Sequence, residues 1–356
     1  MCTALELWYN VSRDRDQILA TNGEGKMGKR TARQPQVSRA MESASELLEQ
    51  VSGLDNQISE LEKQIEQKLT RLQEINDKCL CFPFFGVQIT GSVVDDVFDE
   101  LRTKYRECGG RLSVIVDSGG GDIDAAYNLA MLFRRYGPQS LRFIVPRWAK
   151  SAATLLVCAG DMISMTPVAE LGPLDPQITE INPLEHRLEQ FSPLHIESTL
   201  DMIRLEYEEG SEQLAKALME RLQFPLTLGS FKKSIEIGQQ YLVRLLETRM
   251  LAGEGKQGDP AEIASKLTTG YANHGFCINL EEARAIGLQV QELEGEELDI
   301  VWGIYRSNAK KRQLQEKVKS AEVAEMIKSL PPELLDKLPK PNPKQPNVPG
   351  PEEGGQ

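Results

Sequence analysis

Three consecutive glycines, Gly119-Gly120-Gly121, stand directly behind the β-branched run Ser113–Val116 and just ahead of the helical pattern Ile123–Tyr136. A strand that enters a Gly-rich turn and leaves it as a helix places this stretch in an α/β layer structure. Glycine alone adopts positive φ without steric cost, and its bare amides can approach a ligand closely, so the turn reads as an anion site. A dinucleotide loop is excluded, because Gly119-Gly120-Gly121-Asp122 does not fit G-x-G-x-x-G and sets an acid where a phosphate would lie. The Gly-Lys-Ser/Thr of a nucleotide-binding P-loop is also missing, and no cofactor is expected. What remains is an oxyanion hole, which needs only one or two amides aimed at a developing negative charge.

The flanking segments extend the alternation. An apolar stretch, Phe82–Thr90, ends in Gly91 and leads to a helix-like segment, Val93–Tyr105; a strand over Leu141–Val145 passes through Pro146 to a strongly apolar helix, Ala152–Ala159. Residues 179–222, rich in Glu and Leu, are expected to form a helical insertion. A helix over Phe231–Leu251, the segment Tyr271–Ile278 and a helix over Leu280–Gly287 complete a domain spanning 79–295. With 356 residues the chain suits one catalytic domain with appendages: an arm over 1–38, an amphipathic helix over 39–78, a C-terminal helical segment over 296–330 and a tail over 331–356. The tail is Pro-, Lys- and Gly-rich and is expected to be disordered.

Between Val51 and Ile75 apolar residues recur at steps of three and four: Val51, Ile58, Ile65 and Leu72 on one seam position, Leu54, Leu61 and Ile75 on the other. Such a heptad fits a coiled coil, with a homo-oligomer formed through this helix, or an amphipathic helix packed on its own domain. The net charge of −12 argues against a sequence-independent grip on nucleic acid. No run of about 18 apolar residues and no signal-peptide pattern occur, so a cytoplasmic protein without a membrane span is expected. The six cysteines are then expected to be thiols, and Cys79 with Cys81 lacks the further ligands of a metal site.

Ser151 follows Lys150 at the start of the apolar helix, ahead of Ala152 and Ala153. Serine there can be a helix N-cap. It can equally be a nucleophile whose alkoxide character the helix N-terminus stabilises, with the Ala152 amide joining the glycine loop. Three segments in this order, Val116 to Asp124, Ala149 to Asp161 (Ala-Lys-Ser-Ala-Ala-Thr-Leu-Leu-Val-Cys-Ala-Gly-Asp) and Leu171 to Gln177 (Leu-Gly-Pro-Leu-Asp-Pro-Gln), resemble the Clp-protease-like and signal-peptide-peptidase-A-like serine peptidases, above all the serine dehydrogenase proteinase family. The resemblance covers roughly Phe82 to Val290. It implies a ClpP/crotonase-like spiral of β-β-α units, ring-like or dimeric assembly and hydrolysis of a peptide or protein substrate. It further implies Ser151 as nucleophile, and Gly120, Gly121 and Ala152 as oxyanion donors.

The position about twenty-five residues after the nucleophile, where Clp-type proteases carry a histidine, reads Leu171-Gly172-Pro173 here. Two residues are candidates for the general base. Lys232, in a segment similar to the lysine segment of the signal-peptide-peptidase-like relatives, would serve if burial lowered its pKa. His274, just before the terminal helix, offers a neutral imidazole. His186 and His195 fall in the charged insertion and read as surface residues, Lys150 adjoins the nucleophile but is expected to point elsewhere, and Trp148 reads as a core aromatic or a pocket wall. The same loop would also suit a crotonase-type acyl-CoA enzyme working through carboxylates, or an inactive scaffold.

Overall fold

The computed structural model describes residues 34–77, 79–104, 109–174, 178–182, 187–191, 193–221, 228–253, 258–271 and 273–328. They fall in two compact units, one of residues 56–316 and the other of 1–55 with 317–356. In the second, the described residues are the outer ends of two long helices, α1 (Gln34–Ile75) and α10 (Gly295–Lys328).

The unit of residues 56–316 is built on a five-stranded parallel sheet in the order β1 (Leu80–Phe85), β2 (Arg111–Asp117), β3 (Ser140–Val145), β5 (Met162–Met165) and β9 (Val290–Glu292). The chain is therefore an α/β protein, as its alternating pattern predicts. One register row runs across the sheet through Phe82, Val114, Phe143, Ile163 and Val290. Both faces are covered, which is why β2 is apolar at successive positions rather than at alternate ones. On one face Phe82, Val114 and Phe143 pack in one cluster with Val97 and Leu101 of α2 (Gly91–Lys104) and with α3 (Ile123–Tyr136), whose Ala126, Leu129, Ala130 and Phe133 form an i, i+3, i+4 stripe. Phe133 sits edge-on to Phe82 and Phe143, with centroids 5.5 and 6.2 Å away. On the other face Cys81, Ile115 and Ile144 pack with Leu72 of α1 and with Val301 and Ile304 of α10.

This second face also takes up part of the heptad helix. Over residues 56–75 the heptad helix is packed within its own chain: Ile65, Leu69, Leu72 and Ile75 join the core cluster that contains Val301 and Ile304. Arg71 pairs with Glu296 at 2.8 Å and Lys311 with Glu62 at 3.5 Å, so the two helices run antiparallel. Over these residues the seam faces a helix more than two hundred residues away in sequence.

A second, smaller layer begins where the main strands end. Ile89 pairs with Gly121, Ser118 with Ala149, β4 (Trp148–Ala149) with β6 (Glu170–Leu171), and Leu171 with Ile278. Long strand, short pairing and helix thus recur: β2, Ser118 and α3; then β3, β4 and α4 (Ala152–Val157). The repeat sets the glycine turn and the start of α4 side by side at the carboxyl ends of the parallel strands, where open α/β sheets bind ligands.

Two segments differ from expectation. The insertion opens as an antiparallel hairpin, β7 (Ile178–Asn182) with β8 (Arg187–Phe191), before α5 (Pro193–Glu208) and α6 (Glu212–Arg221). Its apolar residues, Ile178, Ile181, Leu188 and Phe191, recur at steps of three rather than two, so no strand alternation marks the hairpin in the sequence, and the Glu- and Leu-rich composition reads as helix. The helix expected over Phe231–Leu251 is α7 (Leu228–Leu245), continued by a π-helical turn, Leu246–Met250. After α8 (Pro260–Thr269) and α9 (Leu280–Ala285) the chain returns to β9. No helix among the described residues is long and apolar enough to cross a membrane.

Candidate active site

β2 ends in Asp117, and the following turn is shaped by what it must avoid. Gly121 has φ +151°, and a Cβ there would lie 2.2 Å from the Ile89 carbonyl oxygen. The Asp122 N–H donates to that oxygen at 2.8 Å, and the Ile89 N–H donates to the Gly120 carbonyl at 2.9 Å. Gly120, at φ +103°, turns a bare Cα toward the start of α4: a Cβ would stand 2.9 Å from Ser151 Cβ and 3.1 Å from the Ala152 nitrogen. Only glycine permits both the backbone angle and the approach. The Gly120 N–H, expected as an oxyanion donor, donates to Ser118 Oγ at 3.1 Å, while Ser118 Oγ itself donates to the Val87 carbonyl at 2.7 Å.

Ser151 is held at φ +52° and ψ −124°, one of two non-glycine residues with positive φ among those described. The N-cap expectation fails, because its side chain makes no capping hydrogen bond. Its carbonyl instead accepts from the Thr154 N–H at 2.8 Å, and that of Lys150 from the Ala153 N–H at 2.9 Å. The strain costs about 1–3 kcal/mol, and such bends recur where a nucleophile is lifted clear of the chain before a helix. Ala152 opens α4, so its N–H is among the first-turn donors that a helix leaves unsatisfied. Every residue of α4 is buried, and Thr154 Oγ1 lies 2.7 Å from the Ala149 and Gly172 carbonyls, which ties the Leu171-Gly172-Pro173 segment to the same frame. Relief of the strain is measurable: Ser151→Gly is expected to melt above Ser151→Ala in calorimetry, since glycine accepts the angle that alanine inherits. A lower melting point for the glycine variant would contradict the strained assignment.

Ser151, Gly119, Gly120, Gly121 and Ala152 line one open cleft of about 940 Å³, together with His274, Trp148, Asp117, Arg312, Leu174 and, from α7, Ser234 and Ile237. His274 reaches it because its segment is tied down on both sides. Leu171 and Ile278 exchange N–H···O bonds of 2.9 and 3.1 Å, and Tyr271, stacked on Phe276 at 4.4 Å, donates its hydroxyl to Glu282 at 2.7 Å. The side chain of Lys232 lies outside the described residues, as does that of His195; His186 does so entirely. At 100° per residue Lys232 stands about 160° around α7 from the cleft-lining Ser234. Trp148 is 42% exposed, a cleft wall rather than a core aromatic.

Lys150 points away from the cleft chemistry, as expected: its Nζ donates to Glu170 at 2.8 Å and to the Leu171 carbonyl at 3.2 Å. Glu170 also accepts from Arg147 at 2.8 Å and from the Trp148 indole at 3.0 Å. Partial burial would raise this carboxyl, but hydrogen bonds from Lys150, the Cys277 thiol and Trp148, with the Lys150 charge, hold it at about 2. Glu170 was not legible as a site residue, and neither was Arg312, which pairs with Asp117 at 2.9 Å across 195 positions of sequence. Arg312 follows Lys310 and Lys311, a run that reads as a solvated helix face.

No family model matches the chain. Two uncharacterized proteins of Methanocaldococcus jannaschii are similar to it. One is 27% identical over 230 residues, covering 64% of this chain and 71% of the relative. The other is 23% identical over 226 residues, covering 63% and 68%. Among solved structures, a mutant of a membrane-bound stomatin-specific protease is 17% identical with a TM-score of 0.38, over 61% of this chain and 79% of that one. ClpP1 from Listeria monocytogenes is 14% identical with a TM-score of 0.35, over 63% and 96%. It is the chain's own parallel sheet, rather than these likenesses, that makes it an α/β protein.

Proposed function

We propose that the chain is a ClpP-like serine peptidase in which Ser151 attacks a peptide carbonyl and the Ala152 amide, with the glycine turn, holds the resulting oxyanion. One observation carries this reading: a serine strained to φ +52° without a capping bond, its Cβ within 2.9 Å of the position a Gly120 side chain would take. A serine used only to start a helix would relax into a cap. For Gly120 to serve as a donor, its N–H must exchange its 3.1 Å bond to Ser118 for the substrate oxygen. Gly121 and Ala152 need no such exchange in this scheme. The cleft carboxylates that an acyl-CoA enzyme would use are already engaged: Asp122 accepts from the Ala125 N–H, Asp124 from the Tyr241 hydroxyl and Asp117 from Arg312.

His274 is the better supported base, since it shares the cleft with Ser151. It would take the serine proton as the tetrahedral intermediate forms and return it to the leaving amine; water then hydrolyses the acyl-enzyme. His274→Ala is expected to lower kcat on a fluorogenic peptide by about 10²–10⁴-fold, the usual worth of a general base, and Lys232→Ala by less than about 10-fold. The opposite ranking would move the role to Lys232.

A further inference from the structure

Asp117 is 2% exposed yet lines the cleft. Its Oδ2 accepts from Arg312 Nη2 at 2.9 Å. Burial raises this carboxyl, and the charge and hydrogen bond of Arg312 work against the rise. Arg312 comes from α10 and is the only lysine or arginine among the described residues of the cleft lining. Its side chain is 35% exposed. The guanidinium lies against bare backbone: a Cβ on Gly86, whose φ is +64°, would stand 1.9 Å from Arg312 Nη1. The Gly86 N–H is in turn bonded to the Asp117 carbonyl at 2.6 Å.

Arginine carries five N–H donors in a planar fork, and the contact to Asp117 uses one of them. Fastening α10 to the sheet does not require this pair, because Val301 and Ile304 already bury that helix, and a buried ion pair adds little stability over apolar packing. A guanidinium held by one buried carboxylate, with the remaining donors beside an open cleft, is instead the arrangement that recognises a second carboxylate. We propose that Arg312 is the specificity-determining residue of this cleft, binding a carboxylate of the peptide substrate, with Asp117 as the positioning residue that fixes the guanidinium. This rests on the peptidase reading and names a substrate class for it: peptides with an acidic side chain or a free chain terminus near the scissile bond.

The test is equilibrium binding of fluorescent peptides to the full-length Ser151→Ala chain, read by anisotropy. Two matched pairs are used, one differing as internal Glu against Gln, the other as C-terminal carboxylate against amide. The carboxylate member of one pair is expected to bind about 10–100-fold more tightly, the range of a charge-assisted hydrogen bond, and the pair that shows it identifies the source. Adding Arg312→Gln should abolish the preference, and Arg312→Lys should keep part of it. Because Arg312→Gln leaves Asp117 buried without its cation, the combination with Asp117→Asn, checked for cooperative melting, separates lost recognition from lost folding. Equal binding within both pairs, or a preference that survives in the folded combination, overturns the proposal. Hydrolysis of neutral peptides by the Ser151 chain without any binding preference would sink Arg312 alone. A binding preference without hydrolysis would sink the peptidase reading alone.

Discussion

Replacing Ser151 with alanine is expected to lower kcat on a cleaved peptide by about 10⁴–10⁶-fold, the scale seen when the nucleophile of a serine peptidase is removed. The loss is large because the polar side chains of Lys150 and Ser118, close to Ser151, are already engaged. Lys150 is held by Glu170 and the Leu171 carbonyl, and Ser118 donates its own hydroxyl to Val87. The residual rate would come from the oxyanion donors acting on water, which this substitution leaves in place. Steady-state kinetics on a purified variant decide it. A fall of less than about 10-fold would mean that the strained serine is not the attacking group, whatever the strain is for.

The second large effect falls on stability. Gly121→Ala would set a methyl 2.2 Å from the Ile89 carbonyl oxygen and 2.7 Å from its nitrogen, at a φ of +151°. Both neighbours are backbone, so no side chain can rotate away, and the Ile89 and Gly121 pairing must break to admit it. Strain of this kind belongs to the short list of causes of very large losses, and urea unfolding is expected to show about 4 kcal/mol or more. Gly119 is the control. Nothing lies within 4 Å of a Cβ placed there, and Gly119→Ala is expected to cost less than about 1 kcal/mol. Equal losses at the two positions would contradict the assignment of the tight approach to Gly121.

Features set by neighbours in sequence were the ones legible beforehand. The run Ser113–Val116, the three glycines and the apolar helix behind Ser151 declare strand, turn and helix through local composition, and the α/β class follows. That the two turns lie side by side comes from the sheet, in which β2 and β3 are adjacent and parallel. Features set by distant partners were hidden. The heptad on α1 specifies an apolar seam without saying what fills it, and α10 of the same chain does so over residues 56–75. Arg312 sits in a basic run with no local hint that Asp117 waits 195 positions earlier. Ser151 was readable as a residue but not as a conformation, because a cap and a nucleophile share the same place ahead of a helix, and only φ and ψ tell them apart. Trp148 misled for a related reason: an aromatic beside a strand reads as core unless a carboxylate such as Glu170, 22 residues on, holds its indole at the rim.

Everything chemical here depends on the Ser151 hydroxyl being open to attack an electrophile in the cleft. Treating the full chain with a fluorophosphonate and mapping the adduct by mass spectrometry tests this without knowledge of the substrate. One adduct, on Ser151 and missing from Ser151→Ala, is the predicted result. Equal labelling of the two proteins, or a folded protein that takes up no reagent, would contradict it.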